Sequence, residues 1–212
     1  MLTYFSKYHD KLFTALFEHL KLVGTTLLIS VVLAFVITLI IVRSQFLSNI
    51  IIQIFGVVYS IPSLALFSLL IPVMGIGPNT AIFVLVLYNQ FLLLRNNIAG
   101  LRGVDPAVLE VAKGMGMSEW QRLIKVQIPL ALPVIMAGIH LAIISTIGIA
   151  TIAATIHAGG LGRILFDGLR TMNSNKIIWG TIFCAGIAWI ADILLRLLEK
   201  ILYKKVGYQN EL

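Results

Sequence analysis

The sequence is short of charge and almost free of cysteine. Only 12% of its 212 residues are charged and 59% are hydrophobic, whereas a soluble domain has about 25% charged residues. This shortage excludes an ordinary water-soluble domain and indicates that lipid surrounds most of the chain. The single cysteine, Cys184, lies in an apolar run with no second thiol to pair with, so the sequence offers neither a disulfide framework nor a pair of cysteine metal ligands.

The sequence also lacks the patterns that enzymes need. It contains no Gly-x-x-x-x-Gly-Lys-Ser/Thr phosphate loop, no paired carboxylates and no nucleophile with a base at a useful spacing. His140 and His157 have no further His, Cys, Asp or Glu at ligand spacing, so we expect a hydrogen-bonded structural role and no metal site. We therefore expect a chain that is not an enzyme and binds no cofactor itself.

Five apolar segments approach the length of about 20 residues that a membrane-crossing helix needs. A soluble all-α bundle is the alternative, but helices of this length in such a bundle would show a polar face. The sequence therefore predicts an all-α membrane protein with about five transmembrane helices in one domain, residues 1–212. The predicted spans are residues 22–42, 50–71, 78–94, 130–156 and 177–198.

The segment before the first span, residues 1–21, has an amphipathic pattern. Aromatic and aliphatic side chains recur every three to four residues from Tyr4 to Leu20, with Lys7, Lys11 and Glu18 between them. This pattern predicts an amphipathic helix in the external membrane interface. A helix packed on the outer end of the bundle would show the same pattern, so the sequence leaves both arrangements open.

The basic residues indicate the orientation in the membrane. The 16 Lys and Arg residues outnumber the 9 Asp and Glu, for a net charge of +7, but they are spread between apolar segments, so we expect no nucleic acid partner. Ten of the 16 fall on one predicted side, in the first-to-second connection, in residues 95–129 and near the C-terminus. Because cytoplasmic loops carry the excess of Lys and Arg, the sequence predicts an external N-terminus and a cytoplasmic C-terminus.

The long connection between the third and fourth spans, residues 95–129, contains the signals of a short helix. Asp105 followed by Pro106 is typical of a helix start, because the carboxylate caps free N–H groups and proline lacks the N–H that would be unpaired there. Gly114 and Gly116 are typical of a helix end. We therefore predict a short helix that begins after Asp105 and ends at this pair of glycines.

A second short helix is predicted directly after the glycines. Ser118, with Gln121 three residues later, forms a capping-box pattern. This helix must end or kink before Pro129, which cannot continue the backbone hydrogen bonding. The connection thus predicts a helix, a glycine elbow and a helix leading into a membrane span, an arrangement suited to transmitting a rigid-body push from a partner protein.

In the same connection, residues 110–112, Gly116 and residues 126–129 form a pattern that resembles the EAA loop of the permease subunits of binding-protein-dependent ABC importers. That loop reads Glu-Ala-Ala, three residues, Gly, nine residues and Ile-x-Leu-Pro, and the spacing here matches throughout. The departures from the pattern are small or aliphatic replacements that leave the resemblance intact. The matching residues are Glu110-Val111-Ala112, Gly116 and Val126-Gln127-Ile128-Pro129.

In the resembled family this loop forms a coupling helix that docks into a groove on a cytoplasmic ATPase. The resemblance implies that Glu110, Ala112 and Gly116 are contact and elbow positions. The coupling residues that it implies are Asp105, Glu110, Ala112, Gly114, Gly116 and Pro129.

The resemblance also implies partners and a mechanism. The partners would be a cytoplasmic ABC ATPase dimer that holds ATP and magnesium, a second permease copy or a paralogue, and an extracytoplasmic solute-binding protein. The chain itself would be a multi-pass protein of a prokaryotic plasma membrane, in contact with lipid. It would work by alternating access, moved by the ATPase.

Further strings resemble the osmoprotectant subfamily, whose members import glycine betaine, choline, carnitine and related compounds. Importers of methionine and other solutes share the fold and parts of these strings, so another solute such as an amino acid stays open. An autonomous secondary carrier or channel is a third alternative, but the sequence has neither the mid-membrane carboxylates nor the inverted repeat that would favour it. The strings are residues 60–63, 94–104, 113–117 and 158–162.

Polar and helix-breaking residues in or beside the spans are candidates for the transport pathway or its gate. Pro62 bends its helix as a gate or as a packing kink, and adjacent Asn89 and Gln90 point about 100° apart, so one of them is expected to face a pathway. Hydroxyl residues in the fourth span fit close helix packing as well as solute binding, and the external glycines fit an outer gate, a receptor site or a turn. The candidates are Tyr59, Pro62, Asn89, Thr146, Thr151, Gly159 and Gly160.

Overall fold

The computed structural model describes residues 2–206, with the side chains of residues 3–204. Every regular element in this part of the chain is helical, which confirms the predicted all-α class; residue 1 and residues 207–212 of the predicted domain lie outside it. A π-helical turn, Leu123–Gln127, precedes α7, and a 3-10 turn, Ala153–Ile156, follows it. The helices are α1 Leu2–Ile41, α2 Gln45–Ser60, α3 Ser63–Met74, α4 Pro78–Arg102, α5 Pro106–Gly114, α6 Glu119–Arg122, α7 Ile128–Ile152, α8 Leu161–Arg170 and α9 Ser174–Val206.

Four helical stretches among the described residues are long and apolar enough to cross a membrane. They contain α1, α4, α7 and α9, and the pair α2 and α3 would make a fifth if counted as one span. This count agrees with the predicted number of about five. Two helices run further than predicted: α4 continues through Arg102 into the predicted connection, and α9 extends from Ser174 to Val206.

The predicted span at residues 50–71 falls on two helices, α2 and α3, with the expected bend at Pro62 between them. The chain breaks between α2 and α3, and the two helices meet at an angle of 97°. Proline disfavours the helical conformation in the residue before it, and Ile61 is accordingly extended, with φ −71° and ψ 130°. Pro62 also lacks the N–H that would have continued the backbone hydrogen bonds. This segment is therefore a sharply bent pair.

The predicted amphipathic segment, residues 1–21, and the predicted first span, residues 22–42, run together in one helix of 40 residues, α1. At 1.5 Å per residue it is about 60 Å long, or twice the thickness of about 30 Å of a bilayer core. Its first half packs on α9 through aromatic contacts, with ring centroids 4.7 Å apart for Phe5 and Trp179 and 5.9 Å apart for Phe13 and Phe183. No proline interrupts the sequence between this amphipathic half and the apolar half.

The core of the bundle forms around α4, which contacts α1, α2, α3 and α7. Small residues let α4 and α7 approach closely: a Cβ atom on Gly138 of α7 would lie 2.5 Å from the Cβ of Asn96. Gly100 of α4 lies in the same way against Ala131 and Val134. Helices in membranes commonly associate through such small residues, so α4 and α7 form the closely packed centre of the molecule.

Helix α9 joins this centre through α7. Asp192 pairs with Arg196 at 2.9 Å, and the second oxygen of Asp192 lies 2.9 Å from Nε2 of His140 on α7. The expected hydrogen-bonded role of His140 is therefore confirmed. The three side chains satisfy one another where isolated charges would be costly in lipid.

Candidate functional site

The predicted start of the short helix α5 is present in the structure. The carboxylate of Asp105 accepts a hydrogen bond of 2.8 Å from the backbone N–H of Ala107, and Pro106 occupies the first helical position. Both features come from residues adjacent in sequence, so the local chain fixes where α5 begins.

The end of α5 depends on Gly116 more than on Gly114. Gly116 has a φ of +80°, a left-handed conformation that side chains with a Cβ disfavour. Its N–H donates to the carbonyl of Lys113, and the N–H of Met117 donates to the carbonyl of Ala112, which together form a Schellman motif. Gly114 is the last helical residue, and a Cβ there would meet open space.

The second predicted helix start is also present. The N–H of Ser118 donates to Oε1 of Gln121 at 2.8 Å, and the N–H of Gln121 donates to the Ser118 hydroxyl at 3.3 Å. As predicted, the regular α-helical turns of α6 end before Pro129, at Arg122. The N–H of Ile128 donates to the carbonyl of Leu123, five residues earlier, and this wider turn carries the helix through Pro129 into α7.

Helix α5 presents an apolar stripe that no described part of this chain covers. Val108, Val111 and Met115 lie on one face of the helical segment and are 40%, 65% and 73% exposed. Glu110 is also exposed, whereas Ala112 is buried within the described chain. Exposed apolar patches commonly mark interaction sites. Of the implied contact positions, Glu110 is accessible to a partner and Ala112 is not.

Two pathway candidates, Asn89 and Thr146, lie buried between helices. The amide of Asn89 on α4 donates to the hydroxyl of Thr146 on α7 at 2.9 Å and to the hydroxyl of Ser30 on α1 at 3.2 Å. Gln90 is buried too, and its amide donates to the backbone carbonyl of Ser30. Both amides lie between helices of this chain, and Oε1 of Gln90 is buried with no hydrogen-bond partner among the described residues.

Sequence reasoning missed the contribution of α1 to this polar interface. Thr26, Ser30 and Thr38 are all buried, and Thr38 accepts a hydrogen bond of 3.1 Å from the amide of Asn97 on α4. Their separations by four and eight residues place them on one face of α1. That spacing, within an otherwise apolar run, is the sequence signal that would have found them.

The bend at Pro62 is supported by a residue that sequence reasoning missed, Tyr88 of α4. Its hydroxyl donates a hydrogen bond of 2.5 Å to the carbonyl of Ile61, directly before the proline. The candidate Tyr59 packs beside it, with ring centroids 5.5 Å from Tyr88 and 5.1 Å from Phe91. Pro62 itself is exposed. The bend is thus fastened to α4 by an aromatic cluster.

The candidate Thr151 lies where α7 meets α8. Its hydroxyl donates to the carbonyl of Gly148 at 2.7 Å. Its own backbone carbonyl would lie 1.9 Å from a Cβ atom on Gly162, a distance that no side chain can occupy. The backbone of Thr151 is therefore a packing surface for the start of α8.

The candidate glycines Gly159 and Gly160 form a loop that α1 holds in place. Both have positive φ angles, 81° and 77°. The N–H of Gly160 donates to the carboxylate of Glu18 on α1 at 2.9 Å, and Arg163 pairs with the same carboxylate at 3.4 Å. A side chain at Gly159 would also collide with Glu18. The loop is fastened to α1 in this structure.

A cavity of about 1200 Å³ lies beside this loop, between the first half of α1 and α8. Charged residues from both helices line it, among them Asp167 of α8. Lys176 donates to the Asp167 carboxylate at 2.5 Å and Arg170 at 3.1 Å. These hydrogen bonds, that from Lys176 foremost, hold the pKa of Asp167 below its usual value.

No group of three or more His, Cys, Asp or Glu side chains within the described part of the chain is arranged to hold a metal ion. Helices long and apolar enough to cross a membrane, a sharply bent helix pair and a capped helix with an exposed apolar stripe together define a multi-pass membrane protein.

The comparisons with known proteins identify the family. The model of the family described as binding-protein-dependent transport system inner membrane component matches residues 14–208. The chain belongs to this family and is a permease subunit of an ABC importer, as the EAA-like loop predicts.

Curated relatives match over most of their length. The chain is 34% identical over 199 residues to the carnitine transport permease protein OpuCB of Listeria monocytogenes, covering 94% of this chain and 91% of the relative. It is 36% identical over 201 residues to the glycine betaine/carnitine/choline transport system permease protein OpuCD of Bacillus subtilis, with coverage of 94% and 88%.

Solved structures share the fold. An inward-facing MetNI methionine ABC transporter matches with a TM-score of 0.79 at 19% identity, covering 88% of this chain and 93% of that chain. An amino acid ABC transporter with histidines matches with a TM-score of 0.74 at 19% identity, covering 97% and 98%. At this identity the likeness shows the fold alone.

Proposed function

We propose that this permease subunit imports a quaternary-ammonium osmoprotectant such as glycine betaine, carnitine or choline. The observation that carries the proposal is its similarity, over nearly the full length, to permeases named for these solutes. The likeness to methionine and amino acid transporters is a likeness of fold at 19% identity. An amino acid importer is therefore the second candidate, and it has weaker support.

The exposed stripe of α5 is the proposed docking surface for the ATPase. Val108, Val111 and Met115 would enter a groove on that partner, with Glu110 at the edge of the contact. Full burial of a side chain of this kind is worth about 1.5–3 kcal/mol, so the three side chains would contribute to the attachment together with the rest of the contact. ATP and magnesium would be bound by the ATPase dimer, and this chain would receive only the movement.

The proposed arrangement places α5 at the cytoplasmic face and the Gly159–Gly160 loop at the external face, with the N-terminus outside. The excess of Lys and Arg on the α5 side supports this orientation. A second permease copy or a paralogue would complete the solute pathway, and an extracytoplasmic binding protein would deliver the solute. Closure of the ATPase dimer would then drive alternating access through α5.

Uptake measurements on the reconstituted transporter test the proposed solute. The chain is purified with its ATPase and binding protein and reconstituted in proteoliposomes. ATP is supplied on the side of the vesicle membrane that the ATPase faces. We expect ATP-dependent uptake of radiolabelled glycine betaine, carnitine or choline, and none of methionine. Uptake of methionine with no uptake of the three quaternary-ammonium compounds would favour the amino acid importer.

A further inference from the structure

The turn between α1 and α2, residues 42–44, lies between the two arms that connect α5 to the bundle. The incoming arm is the end of α4, and the outgoing arm is α6. Each arm contacts the turn or the start of α2 through an arginine, and these contacts come from residues far apart in sequence.

The incoming arm is attached by Arg102, the last residue of α4. Its Nη2 donates to the hydroxyl of Ser48 at 2.9 Å and to the carbonyl of Ser44 at 3.3 Å. Ser48 is fully buried, and its hydroxyl donates to the carbonyl of Ile41 at 2.7 Å. The end of α4, the start of α2 and the end of α1 therefore meet at one buried hydroxyl.

The outgoing arm is attached by Arg43, which lies in the turn itself. Its Nη2 is 3.3 Å from a carboxylate oxygen of Glu119, and its guanidinium lies 4.8 Å from the centre of the Trp120 ring. Glu119 and Trp120 are the first two residues of α6. These side chains are about half exposed or more, and both kinds of contact are weak at such sites. A contact of this strength is able to form and break in each transport cycle.

Helix α2 begins at this turn and ends at the bend before Pro62. Ser44 caps its start, accepting a hydrogen bond from the N–H of Leu47 at 3.3 Å. Because α2 is an uninterrupted helix of 16 residues, a displacement of the turn moves its other end as well. The turn is therefore placed to carry a movement from α5 to the bent helix pair.

We propose that Arg43 and Arg102 are positioning residues that pass the movement of α5 to the α1–α2 turn and through α2 to the bend at Pro62. This inference rests on the proposed function of α5 as the docking helix for the ATPase. It assigns a role in coupling to two arginines outside the EAA-like pattern. Arg43 acts as the contact that changes during the cycle, and Arg102 keeps the turn attached to α4.

The test measures solute uptake and ATP hydrolysis in the same proteoliposomes of the complete transporter. We expect Arg43→Ala to lower the solute transported per ATP by about fivefold, the factor that a contact of this strength provides, while hydrolysis stimulated by the binding protein continues. Glu119→Gln removes only the ion pair and lowers the ratio of transport to hydrolysis less, and the double variant is no worse than Arg43→Ala, because that change already removes both contacts of Arg43. The ratio of transport to hydrolysis in Arg43→Lys lies between those of wild type and Arg43→Ala, because lysine keeps the charge but lacks the planar group that stacks on Trp120.

A charge exchange separates coupling from a structural role. Arg43→Glu combined with Glu119→Arg restores much of the ratio of transport to hydrolysis, although each change alone lowers it. Arg102→Lys lowers the ratio of transport to hydrolysis less than Arg102→Ala does. If the alanine variant does not assemble, the lysine variant is measured in its place. Lys125→Ala is the matched control, because Lys125 is an exposed cation of the same connection for which the described residues provide no ion pair.

Two results would overturn the inference. One is a wild-type ratio of transport to hydrolysis in Arg43→Ala; the other is a parallel loss of transport, hydrolysis and assembly that the charge exchange does not restore. The proposed solute is judged separately by the wild-type transporter. If wild type imports methionine only, the solute proposal fails, and the ratio in the Arg43 variants still tests the coupling role with methionine as the cargo.

Discussion

At the scale of single residues, the two glycines at the end of α5 have different roles. A side chain at Gly116 would be held in the left-handed conformation, at a cost of about 1–2 kcal/mol. We therefore expect Gly116→Ala to loosen the end of α5 and to reduce ATP hydrolysis stimulated by the binding protein in the assembled transporter. Gly114→Ala serves as the control, since it adds a methyl group to a helical position with open space. An equal loss of stimulated ATP hydrolysis in the two variants would show that the loss does not come from the backbone conformation of Gly116.

Tyr88 has a comparable part at the bend between α2 and α3. Replacing it with phenylalanine leaves the carbonyl of Ile61 without its donor, and an unsatisfied group of this kind costs about 1–3 kcal/mol. We expect Tyr88→Phe to lower the melting temperature of the detergent-solubilised chain. It should also broaden the distribution of distances between spin labels on α2 and α3. Tyr59→Phe keeps the ring contacts of the same cluster and should change neither the melting temperature nor the distance distribution. Equal changes in Tyr59→Phe would show that the Tyr88 hydroxyl is not the cause.

At the scale of elements, α8 is fastened to the start of α9 by the carboxylate of Asp167. Because its hydrogen bonds hold the pKa of Asp167 below the usual value, the stabilisation is complete above the unfolded pKa of about 3.9. It is lost as the pH falls through the lower folded pKa.

The lowered pKa of Asp167 predicts how the stability of an Asp167→Asn variant depends on pH. The difference in melting temperature between wild type and the variant should stay constant from about pH 5 to pH 8 and shrink below about pH 4. Glu110→Gln, which removes an exposed carboxylate without an ion pair among the described residues, should give no such trend. A difference for Asp167→Asn that grows on acidification would contradict the assignment.

The elements differ in how far the sequence could predict them. The start of α5 and the start of α6 follow from the caps at Asp105 and Ser118, which act on neighbouring residues. Pro62 predicts the bend, but neither its angle of 97° nor the hydrogen bond from Tyr88, far away in sequence, follows from the neighbouring residues. The helical turn through Pro129 required a wide hydrogen bond that the proline pattern does not reveal.

The candidate pathway was harder to predict for the same reason. Whether Asn89 and Thr146 face a pathway or each other depends on how α1, α4 and α7 pack, and a single helix carries no such information. The sequence signal for this packing is the row of polar residues Thr26, Ser30 and Thr38 on α1. It indicates a contact only when it is compared with the polar residues of α4. Of the three α1 residues, Ser30 and Thr38 accept hydrogen bonds from the side-chain amides of Asn89 and Asn97 on α4.

At the scale of the whole molecule, α1 connects the two ends of the bundle. Its first half holds the Gly159–Gly160 loop through Glu18, and its last residue leads into the turn that Arg43 attaches to α6. The ends of the molecule therefore have different chemistry: a charged cavity at one, and the exposed apolar stripe of α5 at the other. This division fits a subunit that receives a solute on one side and a push on the other.

The stripe itself provides a prediction about assembly. Val111→Asp places a charge in the middle of the proposed docking surface, where burial without a partner is costly. We expect the variant to insert into the membrane normally and to lose co-purification with the ATPase. Lys113→Asp introduces the same residue on α5 outside the apolar stripe and should retain more of the ATPase. Retention of the ATPase by Val111→Asp at the wild-type level would place the docking surface elsewhere.

The central claim is that this chain provides the membrane pathway while a separate ATPase provides the energy. It is tested most directly by comparing solute uptake in proteoliposomes that contain the chain alone with uptake in those that also contain the ATPase and the binding protein. The account predicts no concentrative uptake by the chain alone and ATP-dependent uptake by the full set. Concentrative uptake by the chain alone, driven by an ion gradient without ATPase, would contradict it and indicate a secondary carrier.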